Sequence, residues 1–205
     1  MNNNLLYIKD EIKKDTAIVI EKAKKEDIDG IYQVIRSVGN QEKNPEKGFL
    51  IDDYNINVEK HKSHLLEKIE RLDYFYVAKY KGLLLGFLFA YTKSQWLDIE
   101  KHWLTDVYWK EDFDKEKLNN FILIDKTAIY SELTGLGIGS RIYELLIKDL
   151  RQKNIKNIFA ETLIGPIPNF ASLQFRIKQK YQLCGFRYEK HLDKILSTLV
   201  YYKEI

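Results

Sequence analysis

The stretch that most constrains this chain lies between 121 and 152. There the apolar segment FILIDKTAIY leads through SELT into GLGIGS and then directly into RIYELLIKDL, a helical pattern. Gly135, Gly137 and Gly139 stand at two-residue spacing, so the backbone can turn tightly and another molecule can approach without meeting a Cβ. The first amides of a helix have no partner inside it and point outward along the positive end of its dipole. A strand, this turn and a helix in immediate succession predict a seat for a phosphate or diphosphate, with a plain tight connection as the other reading. Two nucleotide-binding patterns fail here. A dinucleotide fingerprint needs G-x-G-x-x-G, whereas these glycines give G-x-G-x-G; a phosphate loop needs Gly-Lys before Ser or Thr, whereas Gly139-Ser140-Arg141 has no lysine.

Strand and helix patterns alternate on both sides of that turn. AIVIEKA (17–23) predicts a half-buried strand. Ile28, Ile31, Val34, Ile35 and Val38 recur at helical steps, a pattern ended by Gly39 and Asn40, and a second helix is predicted over 57–71. Between 74 and 92 two strands flank Lys81-Gly82, a tight antiparallel hairpin whose nearly all-apolar second strand is expected at the centre of a sheet. A strand over 155–163, the turn GPIPN, a helix over 170–182 and two closing strands complete an α/β (or α+β) sheet domain. Residues 93–118 are the least regular, with Trp96, Trp103 and Trp109 beside Asp98, Glu100, Asp106, Glu111, Asp112 and Asp114. A connection of this length is functional or partly helical.

Composition narrows the class further. The 205 residues include only 10 Gly and 3 Pro, which favours one unit over 1–205 rather than linked domains. A net charge of +3, with lysines interleaved among acids as in Lys24-Lys25-Glu26-Asp27, announces neither a nucleic-acid nor a membrane partner. A single cysteine, Cys184, excludes an internal disulfide framework and a cysteine-based metal site, and no metal is expected. No run reaches the ~18 apolar residues of a membrane span. The opening MNNNLLYIKDEIKKD lacks a secretory pattern, so a cytoplasmic location is expected.

The glycine turn resembles the acetyl-CoA site of the GNAT N-acetyltransferases, whose hallmark is Arg/Gln-x-x-Gly-x-Gly/Ala. The matching positions are Thr134-Gly135-Leu136-Gly137-Ile138-Gly139, with Thr in place of the leading Arg or Gln. AIVIEKAKKEDIDGIYQVI resembles the family's opening strand and helix, and YFYVAKYKGLLLGFLFAY its second and third strands. IKNIFAETLIGPIPNFAS resembles its fifth strand and the Asn-x-x-Ser that opens the last helix, and Tyr181-Gln-Leu-Cys-Gly-Phe186 its closing Tyr-x-x-x-Gly-Phe. The resemblance implies a GNAT fold, a strongly twisted mixed sheet of about seven strands flanked by about four helices. In that frame 93–118 is an insert between the third and fourth strands.

The resemblance also implies roles. Acetyl-CoA is the cosubstrate, and the acetyl group passes to a primary amine, on a small molecule or a peptide, by direct attack. The turn Thr134, Gly135, Leu136, Gly137, Ile138, Gly139 and Ser140 would hold the diphosphate, chiefly through the amides from Leu136 onward. The backbone of Ala128, Ile129 and Tyr130 would hold the pantetheine arm, with the Ile129 amide polarising the thioester carbonyl. Asn169 and Ser172 match the helix-start motif, but the interval to Tyr181 is longer than the family's, and Gln174 is the other occupant of the asparagine place. Tyr181 stands where the general acid does; a phenol, titrating ordinarily near ~10, keeps its proton at neutral pH until a thiolate takes it. The other reading of Tyr181 is an aromatic packed beneath the sheet.

For the base, Asp125 stands an even number of residues before Ile129 and so shares its strand face, with a solvated or capping Asp as the other reading; Glu161 on the next strand is the alternative. The insert's rings and acids suit a cationic amine or simply cover the sheet. Phe49, Asp52, Asp53 and Tyr54 would form an opposite wall. His64 and His102 read as surface or packing residues, and Cys184 as packing. A homodimer is possible in the family frame. A non-catalytic acyl-CoA-binding regulatory module on the same fold is the competing function.

Overall fold

In this computed structural model residues 8–13, 17–38 and 43–205 are described; Gly39 and Asn40 lie outside the described residues. The elements are β1 (Val19–Lys22), α1 (Ile28–Ser37), α2 (Val58–Arg71), β2 (Tyr74–Tyr80), β3 (Leu83–Thr92), α3 (Lys93–Ile99), α4 (Trp103–Asp106) and β4 (Tyr108–Trp109). They continue with β5 (Phe121–Ile129), α5 (Ile138–Gln152), β6 (Asn157–Gly165), α6 (Phe170–Lys178), β7 (Gln182–His191) and β8 (Lys194–Glu204). The strands follow the order β1-β2-β3-β5-β6-β8-β7-β4 in one mixed sheet of eight. β5 and β6 run parallel, whereas β1/β2, β6/β8, β7/β8 and β4/β7 are antiparallel. The strand beyond the expected seven is β4, two residues inside the insert.

Contacts group the chain into two units, and each is assembled from three separate segments. The first comprises Met1–Lys43, Phe49–Phe89 and Lys126–Leu146. Its α1 buries Ile31, Val34 and Ile35, the stripe the helical spacing marks out. Its hairpin turns through Lys81 (φ 48°) and Gly82 (φ 81°), a left-handed pair that matches the twist of the flanking strands. Lys79 on β2 bonds Glu21 at 2.7 Å and the buried Asp27 at 2.6 Å, tying β1 and the following turn to the strand beside them. Gly86 on β3 lets β5 come close: a Cβ there would stand 2.3 Å from Ile129 Cδ1 and 2.8 Å from the Ala128 carbonyl oxygen.

The second unit comprises Asn44–Gly48, Ala90–Asp125 and Ile147–Ile205. Its frame is the long β7–β8 hairpin, paired along β6 from Asn157↔Glu204 to Gly165↔Ser197. The insert is largely helical. Thr92 opens α3 with a capping box, its hydroxyl accepting from the Gln95 amide while the Gln95 side chain accepts from the Thr92 amide. Trp103 is fully buried, with ring centroids of Trp109, Phe121 and Phe159 at 5.3, 5.5 and 5.8 Å.

Candidate active site

The glycine turn belongs to the first unit. Gly135 (φ 83°) and Gly137 (φ 78°) are left-handed, and a Cβ at either would meet nothing within 4 Å. Glycine is therefore demanded by the backbone angle, and open space lies before it. Leu133 and Ile138, both buried, pin the two ends of the turn to the core. The first helical bond of α5 runs from the Arg141 amide to the Gly137 carbonyl at 3.1 Å. The amides of Ile138, Gly139 and Ser140 thus precede the i−4 ladder, where helix donors face outward. Thr134 is exposed, and its hydroxyl donates to the Ser131 carbonyl at 2.9 Å rather than extending forward as an Arg or Gln would.

Upstream, the Tyr130 amide donates to the Leu85 carbonyl at 2.9 Å, on the β3 side. Successive strand amides point to opposite edges, so the Ile129 amide faces away from β3. The Tyr130 hydroxyl donates to Gln33 Oε1 at 3.2 Å, and burial pushes this phenol up. Ala128 is buried, and the Ile129 side chain lies over Gly86. In the same unit Asp52 is engaged by the Tyr54 hydroxyl at 3.1 Å and by Lys126 at 3.6 Å; Phe49 and Tyr54 are buried, and Asp53 caps its own turn by accepting from the Asn55 amide. These side chains are spent on holding their loop.

In the second unit the parallel ladder of β5 and β6 covers Phe121–Ile124 and Asn157–Ala160, and Asp125 is the first residue of β5 past it, half-buried. Glu161, the alternative base and the first residue of β6 past the same ladder, is engaged by neighbouring side chains. Its carboxylate accepts from Trp103 Nε1 at 2.7 Å and from Arg187 Nη2 at 3.1 Å, with Arg187 Nε at 2.8 Å. Arg187 is itself only 3% exposed and also bonds Glu100 at 3.1 Å and Glu189 at 3.0 Å. Three carboxylates thus share one guanidinium, and burial pushes the Glu161 carboxyl up against the opposing pull of Arg187 and Trp103. The tryptophans follow suit. Trp103 is core, its N–H committed to Glu161, and Trp96 is buried, so these two rings pack rather than face an acceptor. The sheet-covering reading of the insert is the one these contacts favour.

Tyr181 is buried at 8% exposure, just past the end of α6. The helix stops at Lys178, short of the expected 182, because Lys180 turns left-handed (φ 59°). The Lys180 amide donates to the Ile177 carbonyl at 2.9 Å and the Tyr181 amide to the Arg176 carbonyl at 3.0 Å, the paired bonds of a Schellman stop. At the other end Asn169 caps α6, its side-chain oxygen accepting from the Ser172 amide at 3.1 Å, and its own amide donates to the Leu163 carbonyl at 2.9 Å. Ser172 Oγ lies 3.2 Å from Thr162 Oγ1. The Asn-x-x-Ser turn therefore does open the last helix, while Gln174 is exposed on its side. Cys184 is buried, its thiol donates to the Val200 carbonyl at 3.3 Å, and desolvation raises its pKa to about 12, which suits packing. His64 and His102 are exposed.

Three features the sequence reading missed carry much of this geometry: the Arg187 cluster, the Thr92–Gln95 box and the Lys180 helix stop. Only the second has a local signature, Thr-x-x-Gln before an apolar run.

No family model matches the sequence, and no curated protein does. Solved structures do match. An N-acetyltransferase from Staphylococcus aureus Mu50 is similar over 91% of this chain and 98% of its own, at 16% identity and a TM-score of 0.61. PaiA N-acetyltransferase from Thermoplasma acidophilum, solved with coenzyme A, is similar over 92% and 99%, at 17% identity and TM-score 0.61. A Drosophila melanogaster polyamine N-acetyltransferase that forms N-acetylagmatine is similar over 92% and 100%, at 13% identity and TM-score 0.61. The chain has the fold of the GNAT N-acetyltransferases.

Proposed function

We propose that this chain is an N-acetyltransferase that moves an acetyl group from acetyl-CoA to a primary amine by direct attack. The observation that carries the reading is the turn at 134–140: left-handed glycines with open space before them, then helix amides that precede the hydrogen-bond ladder. That donor set fits a diphosphate. The shared fold with a protein solved with coenzyme A supports it. A single domain over 1–205 is part of the reading, supported by the interleaving of the two contact units along the chain.

Bound acetyl-CoA supplies the activated acetyl thioester. The amides from Leu136 to Ser140 bind its diphosphate, and Thr134 and Gly135 shape the approach. The backbone of Ala128, Ile129 and Tyr130 holds the pantetheine arm. The Ile129 amide, directed away from β3, donates to the thioester carbonyl and stabilises the charge that gathers on its oxygen. Asn169 and Ser172 add polar groups at the start of α6. Tyr181 gives its proton to the departing sulfur, and Asp125 takes the amine proton through a water or holds the ammonium. The acceptor is a small-molecule or peptide amine; the similarity to an enzyme that forms N-acetylagmatine makes a cationic amine the first to try.

The test is an amine panel supplied with acetyl-CoA, read by the appearance of free thiol. Release of thiol that depends on a particular amine is the expected result. Tight binding of acetyl-CoA with no thiol released across the panel would instead establish a non-catalytic acyl-CoA-binding module.

A further inference from the structure

Arg176 and Tyr181 form a pair that the backbone itself enforces. In a Schellman stop the residue just after the left-handed position folds back over the third residue from the helix end, and their side chains touch. Here those two residues are Tyr181 and Arg176, joined by the 3.0 Å bond from the Tyr181 amide to the Arg176 carbonyl. The Arg176 guanidinium carbon stands 5.3 Å from the centroid of the Tyr181 ring. Both residues are buried, Arg176 at 5% exposure and Tyr181 at 8%. From β8, Lys203 Nζ lies 6.0 Å from the same centroid. A buried arginine is costly to keep, and this one lies against a phenol ring.

We propose that Arg176 is a positioning residue for Tyr181: its guanidinium, held over the ring by the helix stop, stabilises the negative charge left there once the hydroxyl proton has gone to the departing thiolate. The inference rests on Tyr181 being the acid of the proposed acetyl transfer. In that step the amine nitrogen bonds to the acetyl carbonyl carbon and the carbon–sulfur bond breaks. The sulfur takes the Tyr181 proton, the extra proton on nitrogen leaves to water, and water then returns a proton to the phenolate. A phenol is a reluctant donor, and a cation against its face lowers the cost of giving up the proton.

Arg176 and Lys203 act on the ring in the same direction. Arg176 comes from α6 and Lys203 from β8, beside the buried Tyr201, whose phenol burial pushes up and Arg176 pulls back. Burial first, then Lys180 and Arg151, hold the Lys203 ammonium below its ordinary value.

The experiment is a pH titration of the full chain carrying ring-labelled tyrosine, followed by NMR, in which the resonance missing from Tyr181→Phe identifies Tyr181. In Arg176→Met its ionisation midpoint should rise by about one pH unit, the scale of a neighbouring charge, and Arg176→Lys should restore most of the shift. Turnover of Arg176→Met should fall about tenfold with KM for acetyl-CoA little changed, and the alkaline limb of the kcat profile should move upward with the midpoint. Lys203→Met should raise the midpoint by a smaller amount, a readout that survives if Arg176→Met does not fold. A wild-type midpoint in these variants, beside a turnover-deficient Tyr181→Phe, would overturn the role of Arg176 alone. Full turnover by Tyr181→Phe would overturn the acid assignment, and this proposal with it.

Discussion

The glycine turn of the first unit and the Arg187 cluster of the second are both polar sites, and they are built by opposite means. The turn is made of main chain: two left-handed glycines and a helix start, contiguous in sequence, with open space where a Cβ of either glycine would stand. The cluster is made of side chains brought from separate elements, Trp103 of α4, Glu100 just after α3, Glu161 of β6, and Arg187 and Glu189 of β7. The role proposed for the first is to receive a charge; the second has its charges already met from within. That contrast explains why Glu161, although at a promising place on its strand, serves as a strut.

The largest effect that tests the contrast lies in the cluster. Arg187→Met leaves Glu161 buried without its cation and should cost about 3–5 kcal/mol of stability in urea unfolding. A loss under 1 kcal/mol would mean that Trp103, Glu100 and Glu189 hold together without it. Next comes the turn: Gly137→Glu sets a carboxylate where a diphosphate would bind and should weaken coenzyme A binding about a hundredfold or more. Gly137→Ala separates strain from charge. With nothing within 4 Å of its Cβ, it should cost only the left-handed backbone penalty, about 1–2 kcal/mol of stability. Gly86→Ala is a third point of comparison, a glycine needed for space, where a Cβ would strike Ile129 and the Ala128 carbonyl. It should destabilise by about 1–3 kcal/mol, and an unshifted unfolding midpoint would refute the close approach.

The smallest effect is a slope. Burial raises the Glu161 carboxyl above its ordinary 4.5, so the stability this group contributes is complete in acid, below the unfolded value, and is lost as pH rises through the folded value. Glu161→Gln removes that titration. Measured across this range, the stability difference should move in favour of the variant as pH rises. Parallel curves for the two proteins would show that Arg187 fully offsets the burial.

What could be read beforehand follows from the same division. Lys81-Gly82 marks its hairpin and the glycine triplet marks its turn, because backbone angles of that kind select particular residues locally. β7 defeats such reading. In Phe186-Arg187-Tyr188 the aromatics face outward, at 41% and 59% exposure, while the arginine is buried at 3%, the reverse of the polarity that alternation suggests. Only partners distant in the chain make that inversion tolerable. The stop of α6 was hidden for a different reason. A glycine or asparagine usually occupies the left-handed position, and here it is Lys180, so the sequence pattern carries the helix on to 182 and the fold-back that sets Tyr181 against Arg176 has no local mark.

Acetyl transfer by this chain depends first on the main chain after Thr134 gripping a diphosphate. Hydrogen exchange at the amides of Leu136 to Ser140, followed with and without coenzyme A, reads this most directly. Marked slowing at these amides on addition of coenzyme A is the result the account requires. Coenzyme A that binds while their exchange stays unchanged would contradict it.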